Sequence, residues 1–120
     1  MTIEVTKERD LTPRGDCIIG VNASKACSDL PETLKSRLRD TNSIVQMTIV
    51  VDGMEYGLRA RGSPDLILAH KHDIVIRKSA YICPRTFVIR CDGASSNMPR
   101  EMVCLLKDPY TKGMLLVSVE

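Results

Sequence analysis

The chain has 120 residues, of which 43% are apolar and 27% charged, with a formal net charge of +2. That length suits one domain with a core that needs neither disulfides nor a metal. The charge is too small to select a nucleic-acid or membrane partner, and no apolar run approaches the roughly 20 residues that span a bilayer.

Met1-Thr-Ile-Glu-Val-Thr-Lys-Glu lacks the basic opening and apolar centre of a signal peptide, so the expected location is the cytoplasm. Ile3–Lys7 alternates and predicts a strand. Glu8–Asp16, with Pro13 and Gly15, predicts a loop, and Cys17–Val21 a short buried strand. Asp29 is placed to cap a helix, with Pro31 in its first turn and Glu32 completing a capping box. Leu30, Leu34 and Leu38 form its apolar stripe, which leaves Lys35, Arg37 and Arg39 on the wet side. Ile44–Val51 is the strongest strand pattern, and Asp52-Gly53 predicts a type I′ turn returning through Met54–Arg61. Gly62–Asp65 breaks the chain, and Leu66–His70 and Asp73–Arg77 predict two further strands.

The pattern then recurs. Ile3, Val5, Lys7, Pro13 and Arg14 match Ile74, Ile76, Lys78, Pro84 and Arg85 at one constant spacing. Phe87–Cys91 matches the strand before the first helix, and Asn97-Met98-Pro99 matches Asp29-Leu30-Pro31. Met98, Met102 and Leu106 repeat the leucine stripe, and Met114–Val119 matches Gln46–Val51. Two copies are too few for a solenoid. The expected fold is α+β: a mostly antiparallel sandwich or barrel-like sheet with two short helices and an internal pseudo-twofold. It forms a single domain over residues 1–120, with halves near 3–51 and 74–119.

Leu11-Thr-Pro-Arg-Gly-Asp-Cys-Ile-Ile-Gly-Val, with Asp73-Ile-Val-Ile-Arg-Lys-Ser and Cys83-Pro-Arg-Thr, resembles the archaeal domain-of-unknown-function family 371 along nearly the whole chain. The resemblance implies an archaeal source and a size class, and no particular activity. Members usually carry a further amino-terminal Gly-His-Pro segment, echoed before the second repeat. Here Met1 and Thr2 alone precede Ile3, and the echo reads Gly62-Ser63-Pro64.

Three groups of residues bear on function. Lys7, Arg14, Lys78 and Arg85 stand at matched corners, with Thr12, Ser79 and Thr86 as hydroxyl donors; converging on one groove, they would bind phosphate or carboxylate. The alternative is that each arginine ties down its own corner. His70-x-His72-Asp73 has the makings of a zinc or iron site, but no further ligand stands nearby, and no metal site is expected. Cys83, beside Arg85 and near Lys78, is either a nucleophile or a packed thiol. The five cysteines contain no Cys-x-x-Cys, which argues against a zinc ribbon, a thioredoxin-type motif and a full disulfide framework. No phosphate loop, dinucleotide fingerprint or serine elbow occurs, so no cofactor and no catalytic residue are assigned. With 3% aromatics, recognition of single-stranded RNA by base stacking is not expected, although backbone binding is compatible.

The expected function is a non-enzymatic binding module for an anionic ligand, either a phosphorylated metabolite or a nucleic-acid backbone. The alternatives are a small enzyme using Cys83 with Arg85 and His70, and an assembly subunit. Tyr56–Asp73 precedes the second repeat and almost nothing precedes the first. An open strand edge is therefore expected on the first half, covered by a neighbouring subunit in a homo-oligomer or by residues upstream of Met1.

Overall fold

The computed structural model describes residues 2–9 and 18–120. Among the described residues the order is β1 (Thr2–Thr6), β2 (Ile18–Gly20), α1 (Glu32–Leu38), β3 (Ile44–Val51), β4 (Met54–Arg61), β5 (Asp73–Arg77), β6 (Thr86–Val88), α2 (Arg100–Leu106) and β7 (Gly113–Val119). Two sheets form, with strand orders β2-β1-β5-β6 and β4-β3-β7. The first is mixed: β1 and β5 pair antiparallel at its centre, each flanked by a parallel partner. The second is antiparallel throughout. The architecture is the expected α+β fold with two short helices.

Period-two alternation places the core between the sheets. On β3, Val45, Met47, Ile49 and Val51 are buried, while the residues between them are half-exposed. They face Ile3 of β1, Ile74 and Ile76 of β5, and Phe87, the chain's single phenylalanine, in one apolar cluster. The hairpin forms as its sequence predicts: Asp52 and Gly53 take φ of 50° and 82°, the left-handed pair that a type I′ turn requires.

Elements of the two halves follow one another in the same order. A 3₁₀ turn, Cys27–Asp29 or Ser95–Asn97, precedes each helix. Each parallel strand is followed by a left-handed residue, Asn22 at φ 56° and Arg90 at φ 52°. Within each turn a side chain accepts an amide three residues back, Ala26 N to Asp29 Oδ2 and Ala94 N to Asn97 Oδ1, both 2.9 Å.

Several expectations need correction. Asp29 does not cap α1, because the helix starts after Pro31 and the carboxylate is occupied by the preceding turn. The basic residues of α1 are not simply solvated. Lys35 Nζ reaches Ser28 O, Arg37 Nη2 reaches Val119 O, and Arg39 donates to Leu66 O and Ile67 O. A helix of seven residues is too short to persist alone, and these bonds and buried Leu38 hold it. Leu66–His70 is not a strand: Leu68 adopts φ 53° and the segment crosses α1 instead of entering a ladder.

That crossing depends on Gly62. A Cβ there would lie 1.9 Å from Leu38 O and 2.3 Å from Ser43 Oγ, and backbone cannot yield as a side-chain tip can. Gly62→Ala should cost about 3 kcal/mol by urea melt, whereas Gly57→Ala, with nothing within 4 Å, should stay within about 0.5 kcal/mol.

Candidate functional site

The corner between β5 and β6 is built around Thr86. Its side chain is fully buried, and Oγ1 accepts from Arg77 Nε at 2.8 Å and from the Cys83 amide at 3.1 Å. Arg77 also places Nη2 3.4 Å from Cys83 Sγ and stacks 4.8 Å from the centroid of the Tyr81 ring. Arg77, rather than Arg85 or Lys78, is therefore the cation beside Cys83. Its sequence signal is phase: it shares the strand face of Asp73 and Val75, opposite Ile74 and Ile76. Burial raises the pKa of the Cys83 thiol, but the Arg85 amide, the Thr86 hydroxyl and Arg77 outweigh it and hold the thiol below its ordinary value. Cys27 goes the other way: burial, then the nearby Cys83 and Asp73, push it up to about 12.

Arg85 leaves this corner and crosses the centre of the sheet. It pairs with Glu4 of β1 and sets Nε 2.9 Å from Asp73 Oδ2 of β5. The Asp73 contact lies off the N–H direction, so Nε is buried in an ion pair without a hydrogen bond. Lys7 Nζ lies 3.1 Å from Asp29. The Ala26 amide, and then Lys7, hold the Asp29 carboxyl below its usual range. Lys78 and Ser79 are exposed, and Ser79 Oγ accepts the Tyr81 amide. Arg14 and Thr12 lie outside the described residues.

Register separates the matched lysines. With Thr2 opposite Arg77 and Thr6 opposite Asp73, Lys7 follows one end of the β1–β5 ladder and Lys78 the other. Six residues of strand make this roughly 20 Å. Among the described residues, then, the candidate cations do not gather in one groove.

His70 is likewise occupied. His70 Nδ1 accepts the amides of His72 (3.2 Å) and Asp73 (2.9 Å), closing the turn before β5. Among the described residues no three His, Cys, Asp or Glu side chains stand close enough to share a metal ion.

A concavity lies elsewhere. Between the sheets, beside β7, a cavity of about 600 Å³ is lined by Val5, Ile19, Gly20, Ile49, Leu106 and Leu115, with Asp108 and Lys112 also on its wall. No single sequence motif marks it, since its residues come from six elements and two loops.

Two outcomes follow from the corner. Arg85→Ala should cost about 2 kcal/mol in a thermal melt, because it strands two partly buried carboxylates, whereas Lys78→Ala should be near neutral. A neutral Arg85→Ala that abolished sulfate binding would instead make Arg85 a ligand residue. Iodoacetamide followed by peptide mass mapping should label Cys83 well before Cys27 at neutral pH, and Arg77→Ala should slow Cys83 several-fold.

A family model described as "Domain of unknown function (DUF371)" matches residues 1–120. An uncharacterised protein of Methanocaldococcus jannaschii is 45% identical over 107 residues, which make up 89% of this chain and 78% of that protein. The match with the family model spans both the corner and the cavity, and at this identity to an archaeal relative the chain belongs to the archaeal domain-of-unknown-function family 371.

Proposed function

We propose that the protein is a non-enzymatic binding module built from two halves related by a pseudo-twofold, and that its ligand enters the groove beside β7. One observation carries this reading: apolar residues that are sealed in one half are open in the other. Leu38 is fully buried where Leu106 lines the groove; Phe87 and Val88 are buried where Ile19 and Gly20 line it. A mostly apolar concavity of this size, with a few polar groups on its wall, suits an elongated apolar ligand.

The enzyme alternative has less support. The Cys83 thiol has a cation beside it, but His70, the base the sequence offers, spends Nδ1 on two backbone amides. The anionic ligand expected from Lys7, Arg14, Lys78, Arg85, Ser79 and Thr86 also draws less support. Carboxylates already answer Lys7 and Arg85, and the Thr86 hydroxyl is sealed in the corner.

Filling the groove tests the reading. A Cβ on Gly20 would meet only the Val5 side chain, at 3.7 Å, and the matched residue in the other half is Val88. Gly20→Val should keep or raise stability, by up to about 1 kcal/mol. It should weaken uptake of Nile red, a neutral apolar dye, several-fold by fluorescence titration. Unchanged uptake in a folded variant would remove the groove from the function.

A further inference from the structure

Building on the groove reading above, we propose that β7 is a strand-accepting edge. Its occupant is an extended peptide from a separate polypeptide, antiparallel to β7, with apolar side chains where β4 carries Leu58 and Ala60.

The parity of the ladder shows which groups are offered. The Glu120 amide donates to Ile44 O at 2.9 Å, and the register continues through Gln46↔Ser118, Thr48↔Leu116 and Val50↔Met114. Hydrogen-bonded pairs alternate along an antiparallel ladder. The even-numbered residues of β7 therefore face β3, and Gly113, Leu115, Val117 and Val119 turn their amides and carbonyls outward. The Val119 carbonyl is caught there by Arg37 at 2.6 Å. Among the described residues no strand pairs with this edge. Gly113–Val119 contains no charge and no proline to guard it, and Met114 and Leu116 are 60% and 49% exposed.

The same molecule shows what such an edge receives. On β3, the matched residues Val45, Met47, Ile49 and Val51 pair with Ala60, Leu58, Tyr56 and Met54 of β4. There Leu58 and Ala60 are 3% and 2% exposed, and in the residues that follow, Leu66 and Leu68 are buried in one cluster with Leu38. Carried across the pseudo-twofold, the occupant sets an alanine-sized residue opposite Gly113 and a leucine-sized one opposite Leu115. Its continuation covers Leu106. A second copy pairing through its own β7 would not do this. Its inward Leu115 and Val117 belong to its own core face, so both grooves would stay unfilled. The commitment is therefore to a separate strand donor, recognised by backbone hydrogen bonds and alternate apolar pockets.

The probe is a labelled synthetic peptide with the sequence of Met54–Leu68, titrated into the full chain by fluorescence anisotropy, with hydrogen exchange read at β7. Saturable binding that protects the amides of Leu115 and Val117 is expected. Leu115→Pro removes an outward amide without touching the ladder to β3, and should weaken binding at least about tenfold. Should the proline variant fail to melt cooperatively, Leu115→Lys keeps the amide but sets a charge in the apolar pocket opposite the leucine-sized residue, and should weaken binding by a similar factor. Retained affinity in either folded variant overturns the proposal. A peptide N-methylated at alternate amides that binds equally and displaces Nile red overturns strand pairing and leaves the groove standing. If neither peptide nor dye binds, both readings fall. A dimer by light scattering that Leu115→Pro dissolves overturns the separate donor. So does a version of the polypeptide with additional residues before Met1 that excludes the peptide, since the occupant would then lie in cis.

Discussion

The antiparallel pairing of β1 with β5 is the constraint on which the rest depends. It joins the two halves through Ile3↔Ile76, Glu4↔Val75 and Val5↔Ile74. The isoleucines meet the core on one face. On the other, Glu4 and Asp73 come near enough that one cation must answer both, and Arg85 does so from the start of β6. Two partly buried carboxylates without that guanidinium would repel each other across the centre of the sheet. The interaction therefore lives at the level of packing energetics, and it uses a residue that the sequence alone offers equally well to a ligand.

The same pairing decides where the corners go. Antiparallel strands send equivalent positions to opposite ends, so Lys7 and Lys78 do not converge merely because they are alike in sequence. The second corner, at Pro84-Arg85, is closed locally: Thr86, Arg77, Tyr81 and Cys83 satisfy one another, and the thiol is held below its ordinary pKa.

A difference in cover between β3 and β7 then sets the candidate site. Within the β3–β7 pair, β3 is covered by β4 and by the segment crossing α1, whereas among the described residues no strand pairs with the far edge of β7. Where the cover exists, the inward side chains of β3 are at most 3% exposed, and where it is lacking a cavity remains. An apolar wall beside outward-facing backbone donors and acceptors makes two independent forces available at one place, hydrophobic burial and hydrogen bonding.

Local chemistry was enough for the elements. The Ile44–Val51 alternation, the Asp52-Gly53 turn and the leucine stripe act through neighbours a few residues apart, so the sequence by itself determined the strands, the hairpin and the helices to within a few residues. It erred where tertiary partners override local preference. Leu66–His70 has the composition of a strand, but α1 supplies its hydrogen bonds through Arg39. Asp29 has the look of a helix cap, but the closer Ala26 amide claims it. Charge was the least legible: Lys7, Arg77 and Arg85 are alike as letters, and only three-dimensional neighbours made one a thiol partner and two the partners of carboxylates. The groove belongs wholly to the tertiary structure, because its wall draws on residues from Val5 to Leu115 that no local pattern connects. A void is set by what fails to cover it, and that is decided by long-range strand order.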